Sequence, residues 1–180
     1  MKQEKIFFLS CYAKDKNFGK EYNDRISELP NDAWICLMDQ DVLPLDPFFG
    51  SKVHELIKNR GYYDIIGCMT NRLRDEKQLH NGKFSEETDI LKHKEIAALR
   101  WSKFAYKITS AQSIAGMFMI FHKSTWEKIK FKENSLRFDI IFCIDAAKKD
   151  FKIGIAQGLY VFHMYRLGSK DPYNDIKHLL

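Results

Sequence analysis

Trp34-Ile35-Cys36-Leu37-Met38-Asp39-Gln40-Asp41 is the stretch on which the reading of this chain turns. Its first five residues form a continuous apolar run, the pattern of a short strand buried on both faces of a sheet. The run stops at two aspartates one residue apart. On an extended backbone their side chains lie on the same side, within reach of one ion. No packing need calls for two carboxylates there, and placing them together costs repulsion that a divalent cation removes. Open α/β sheets bind ligands at the carboxyl ends of their strands. The stretch therefore predicts a metal site at the edge of a parallel sheet.

Working outward, further strands are expected at Lys5 to Cys11, Asp64 to Met69, Ile114 to Phe121, Phe151 to Ala156 and Leu159 to Met164. Helical patterns lie between them. Tyr22, Ile26 and Leu29 share one face after Gly19, and Val53, Leu56 and Ile57 share another after a helix start at Asp46-Pro47. Ser124-Thr125-Trp126-Glu127 has capping-box spacing, and Asp139 to Lys149 reads as a short, largely buried helix. The polar segment from Thr70 to Lys107, with a helix from about Glu86 to Phe104, reads as an insertion over the sheet edge. Alternating strands and helices predict a layered α/β fold, and 180 residues suit one domain with a sizeable core.

Composition narrows the function classes. Hydrophobic content of 45% and aromatic content of 14% argue against a disordered chain. No apolar run reaches the roughly 18 residues needed to span a membrane. The charged start and the short Ile6-Phe7-Phe8-Leu9 run do not make a signal peptide, so a cytoplasmic protein is expected. Cys11, Cys36, Cys68 and Cys143 are widely spaced beside apolar residues and read as buried free thiols. A net charge of +5 permits an anionic substrate or peripheral contact with a membrane surface. No basic-aromatic stripe indicates nucleic acid.

Beyond the acid pair, three places can carry chemistry. His163 closes the apolar run Leu159-Tyr160-Val161-Phe162. Such a histidine is most often a hydrogen-bonded core residue; beside two acids lacking a third partner it becomes a ligand candidate. Oxygen ligands with one imidazole suit Mn2+ or Mg2+ better than zinc. Asp139, in Arg137-Phe138-Asp139, reads either as a helix N-cap or as a general base, and the two roles are compatible. Asp145 competes for the second role, but its place inside the helix pairs it with Lys148 or Lys149. Gly116, within a strand-like run, admits a ligand or another backbone at close range, or marks a bulge.

Taken in order, these pieces form a pattern. An opening strand, Ile6-Phe7-Phe8-Leu9-Ser10, precedes Gly19-Lys20-Glu21-Tyr22-Asn23. Asp39-Gln40-Asp41 follows, then Ala115-Gly116-Met117-Phe118 with Lys123-Ser124-Thr125-Trp126, then Phe138-Asp139, Asp150-Phe151-Lys152-Ile153 and Val161-Phe162-His163. From about Lys5 to Arg166 the series resembles glycosyltransferases of the GT-A fold, especially small family 2-like enzymes. There the corresponding elements are a Gly-Lys-x-x-Asn helix start, a DxD motif, a strand and helix below the donor sugar, a Glu-Asp pair, a Gly-Tyr-Lys-Ile helix ending and a late strand histidine. Two departures stand out. One helix and no further strand fits between Ser10 and Trp34, where family members usually carry two βα units for the nucleotide. Phe138 replaces the acid that usually precedes the base.

The resemblance implies a Rossmann-like, mixed but mostly parallel sheet flanked by helices. It also implies an inverting transfer of a sugar from a nucleotide-diphosphate sugar to an acceptor hydroxyl on a glycan or lipid-linked molecule. Asp39, Asp41 and His163 would hold Mn2+ or Mg2+, and Asp139 would be the base. Ser10, Tyr12, Asn23, Gly116 and Arg166 would contact the nucleotide sugar, with Tyr165 beside Arg166 near the diphosphate. The competing readings are a non-catalytic nucleotide-sugar or carbohydrate-binding relative, and a metal-dependent nuclease or nucleotidyltransferase.

Overall fold

The computed structural model describes residues 4–165. Among them, β1 (Lys5–Leu9), β2 (Ala33–Met38), β3 (Val42–Leu43), β4 (Ile65–Thr70), β5 (Ile108–Ser110), β6 (Phe118–His122) and β7 (Ile153–His163) form one sheet. The strand order is β1-β2-β6-β4-β7-β3, with β5 also paired to β7. β1 runs parallel to β2, and β4 parallel to β7, while β6 lies antiparallel between β2 and β4. Hence β1, β2, β4 and β7 share one direction, and β3, β5 and β6 oppose it. The helices are α1 (Phe18–Ser27), α2 (Phe49–Lys58), α3 (Ile90–Phe104), α4 (Lys123–Ile129) and α5 (Phe138–Ala147). This is a mixed α/β, Rossmann-like arrangement of the expected class.

Side-chain alternation explains the layers. On β2, Ile35 and Leu37 join a core containing Tyr22 and Ile26 of α1, Trp126 of α4 and Phe142 of α5. Trp34 and Cys36 point the other way, into a core with Val53, Leu56 and Ile57 of α2. Both faces of β2 are thus covered, which is why its sequence is continuously apolar rather than alternating. All four cysteines are buried.

Several local expectations change. Phe151 to Ala156 and Leu159 to Met164 are one strand, β7. Its pairing with β4 jumps from Cys68↔Ala156 to Met69↔Tyr160, so the strand bulges around Gln157-Gly158. Gly158 is needed there because a Cβ would lie 2.2 Å from the Ala105 carbonyl oxygen. The gap expected between the two strands, at Gln157-Gly158, is therefore a bulge onto which the end of α3 docks. Helix α2 starts at Phe49, beyond Pro47, because Asp46 caps a preceding turn by accepting from the Phe48 N–H. Ser124 lies inside α4; the N-cap is His122, whose imidazole accepts from the Ser124 N–H. Likewise the N-cap of α5 is Arg137, which places Asp139 within its first turn.

The segment after β4 is bound to the sheet. The buried Gln78 donates to the Cys68 carbonyl (2.9 Å) and accepts from the Ala115 N–H (2.8 Å). Helix α3 packs along β7, where the buried His93 meets the Tyr160 hydroxyl at 2.8 Å.

Candidate metal centre and cleft

The carboxyl ends of β1, β2, β4 and β7 lie at one edge of the sheet, and antiparallel β6 begins at that same edge. A cleft of about 800 Å³ opens there. Its walls include Tyr12, Phe18, Asp39, Asp41, Arg74, Gly116, Phe138, Asp139, His163 and Tyr165. That volume lies in the range of small-molecule sites.

Asp39 and Asp41 do not continue the strand. They belong to a turn closed by the Val42 N–H donating to the Asp39 carbonyl at 3.2 Å. The Asp39 N–H donates to the Met117 carbonyl at 3.0 Å, which ties the turn to the start of β6. The chain then enters β3, whose Val42 pairs with His163 on β7. The Met164 N–H donates to the Asp41 carbonyl at 2.8 Å and locks the two together. This short pairing brings Asp41 Oδ1 to 3.3 Å from His163 Nε2. One ligand atom from each of Asp39, Asp41 and His163 lies within 4.8 Å of the others.

The histidine is oriented so that it could serve as a ligand. Its Nδ1 sits 2.9 Å from the Arg72 carbonyl, which can only accept, so the hydrogen resides on Nδ1. Nε2 faces the Asp41 carboxylate at 3.3 Å, the contact that a cation between the two side chains would replace. An outer carbonyl fixing the ring is the usual support of a metal-ligating histidine. The His163 N–H donates to Asn71 Oδ1 at 2.7 Å, which fixes the strand end as well.

The two acids experience different fields. Asp39 is pushed up to about 6, chiefly by desolvation and secondarily by the charges of Asp41 and Asp139. Asp41 is held below the usual carboxylate range, chiefly by its hydrogen bond with His163. The sign for Asp39 follows from linkage. Its folded value lies above the unfolded one, so its stabilising contribution is complete below about pH 4 and lost as pH rises through about 6. A cation bound by the three residues would offset that loss. Mn2+ at about 100 times Kd is therefore expected to raise the melting temperature at pH 7.5 by roughly 5–10 °C. The gain is expected to be much smaller at pH 5. Calorimetry of wild type and Asp39→Asn checks this; an equal gain at both pH values contradicts it.

Asp139 faces the same cleft from α5. Its Oδ2 accepts from the Gly116 N–H and its Oδ1 from the Ile140 N–H, both at 2.8 Å. A Cβ on Gly116 would lie 2.9 Å from Asp139 Cβ and 3.1 Å from Oδ2. The glycine thus admits the aspartate side chain, ahead of β6 rather than within a strand. Gly116→Ala is expected to destabilise by about 1–3 kcal/mol and to displace the carboxylate. Denaturant unfolding reads the first effect; unchanged stability contradicts it.

The remaining candidate residues divide. Tyr12 is 70% exposed on the cleft lip. Ser10 is exposed at the end of β1 and does not line the cleft. Asn23 is also not part of the cleft wall. Its amide donates to the Phe131 carbonyl (2.9 Å) and accepts from the Trp126 indole N–H (2.9 Å) and the Phe131 N–H (3.0 Å), clamping α1 to the chain between α4 and α5. Arg166 lies outside the described residues. Asp145 pairs with Lys148 at 2.9 Å. Sequence reasoning missed Asn71, Arg72, Arg74 and Gln78. The usable signal was their position just after the carboxyl end of a buried strand, where α/β sites gather.

No protein-family model and no curated protein matches this chain.

Proposed function

We propose that this protein is a metal-dependent glycosyltransferase that moves a sugar from a nucleotide-diphosphate sugar to an acceptor hydroxyl with inversion. The observation that carries the reading is that Asp39, Asp41 and His163 share one cleft with Asp139, whose carboxylate is held by the Gly116 N–H. A Mn2+ or Mg2+ ion on the first three residues would neutralise charge gathering on the leaving diphosphate.

The protein groups have distinct tasks. Asp139 takes the proton of the acceptor hydroxyl. The acceptor oxygen then bonds to the anomeric carbon as the bond to the diphosphate breaks, and the electron pair leaves with the phosphate. Attack opposite the leaving group inverts the centre. The backbone N–H groups of Gly116 and Ile140 fix the Asp139 oxygens, so the base is oriented before substrate arrives. Tyr12, Phe18 and Phe138 give the cleft an apolar wall, and Phe18 and Phe138 stack with centroids 6.2 Å apart. Among the described cleft residues, Arg74 is the single Lys or Arg beside four aspartates, Asp39, Asp41, Asp75 and Asp139. That balance disfavours a nuclease channel, which needs basic residues along a phosphate backbone.

The acceptor in this proposal is a glycan or a lipid-linked glycan reached from the cytoplasmic side, and four buried thiols suit a reducing compartment. Among the described residues no helix is long and apolar enough to cross a membrane. Incubation with Mn2+ and a panel of nucleotide sugars and acceptors, read as nucleoside diphosphate release, tests the proposal. Binding without turnover across varied acceptors would make the protein a binding module. Failure of every nucleotide sugar to bind would end the transferase reading.

A further inference from the structure

The cleft holds one described guanidinium, and its setting is specific. Arg74 follows β4 by four residues and lines the cleft together with Asp41, His163 and Tyr165. Its Nε donates to the Tyr165 hydroxyl at 3.2 Å. The Tyr165 ring in turn stacks on His163, with centroids 5.6 Å apart and planes at 28°. Two residues before Arg74, the Arg72 carbonyl holds His163 Nδ1 at 2.9 Å. The arginine is therefore anchored to the histidine corner of the metal cluster twice, through the chain and through the tyrosine ring. Asp75, the neighbouring acid, has its carboxylate engaged by the Lys77 N–H at 3.0 Å.

We propose that Arg74 engages the phosphate oxygens of the donor's diphosphate, with Tyr165 setting the plane of its guanidinium. This rests on the glycosyltransferase reading of the same cleft and names the residue that recognises its anionic substrate. The donor's diphosphate carries two negative charges and gains a third as the sugar bond breaks, so the leaving diphosphate exceeds what one divalent ion neutralises, and a second cation on the metal side of the cleft matches the remainder. The planar fork of arginine binds two oxygens of one phosphate, and a tyrosine on its Nε orients that fork. Lysine offers the charge without the fork.

Two titrations test the assignment on the full chain. Mn2+ alone reports the Asp39–Asp41–His163 cluster, and inorganic pyrophosphate in excess Mg2+ reports the phosphate site. Arg74→Ala is expected to leave Mn2+ affinity unchanged and to weaken pyrophosphate roughly tenfold, the effect of one charge-assisted contact at an exposed position. Arg74→Lys is expected to fall between Arg74→Ala and wild type. Tyr165→Phe, which keeps the ring on His163 and removes the hydroxyl, is expected to weaken pyrophosphate but not Mn2+. Unchanged pyrophosphate affinity in Arg74→Ala overturns the proposal. So does parallel loss of Mn2+ binding, because Arg74 would then merely hold the cluster together. If wild type binds no Mn2+ yet binds pyrophosphate through Arg74, the phosphate site stands and the metal-dependent reading falls.

Discussion

Asp41→Ala is expected to weaken Mn2+ binding by more than about 100-fold, because losing a ligand costs more than losing the outer groups that orient one. Metal-dependent donor binding and turnover are expected to disappear with it. The backbone at this position does not depend on the side chain. The Asp41 carbonyl accepts from the Met164 N–H at 2.8 Å, and Val42 pairs with His163. The carboxylate itself is 46% exposed, so its removal leaves no cavity in either core. The variant should fold, with His163 Nε2 losing the acceptor that faces it. Free Mn2+ followed by electron paramagnetic resonance during titration gives the affinity directly. Wild-type affinity in Asp41→Ala would remove this residue from the metal site.

Asp139→Asn is expected to lower kcat by roughly 10²–10⁴-fold while donor and Mn2+ affinities stay close to wild type. In the proposed base role, an amide cannot take a proton from an acceptor hydroxyl. It also has one acceptor oxygen where the carboxylate has two, and Asp139 uses both, toward the Gly116 and Ile140 N–H groups. One of those N–H groups will face the new NH2, so a stability loss of about 1–3 kcal/mol is expected alongside. That makes the split between binding and turnover the decisive readout. Equal losses in donor affinity and kcat would assign Asp139 to holding the Gly116 loop. Full activity would remove it as the base. Pre-steady-state release of nucleoside diphosphate, measured with donor and acceptor both saturating, separates these outcomes.

Residues buried by regular elements were legible in the sequence. The unbroken run from Trp34 to Met38 required a sheet covered on both faces, and Ile35 and Leu37 enter one core while Trp34 and Cys36 enter the other. Tyr22 with Ile26, and Val53 with Leu56 and Ile57, are buried faces of α1 and α2 as their spacing demanded. The short elements were not legible. β3 has two residues and β5 three, too few for a period of two to register. The capping-box spacing at Ser124 misleads because His122, one residue before α4, offers a ring nitrogen that no capping-box pattern contains.

For the candidate site, the sequence determined chemistry: two aspartates closing one buried strand, a histidine closing another, an aspartate opening a helix. Those identities follow from where polar residues interrupt apolar runs. Only the tertiary structure decided which of them meet. Asp41 reaches His163 through the two-residue strand β3, and Asp139 reaches the cleft because Gly116 has no side chain to exclude it. The same packing turned Asn23 into a clamp between α1 and Phe131, and brought Arg74 to the histidine corner through Tyr165. These are contacts across 23 to 122 positions of chain, as between Gly116 and Asp139 or Asp41 and His163. Local periodicity carries information over one turn or one strand, so pairings at such distances are set by sheet order and helix docking.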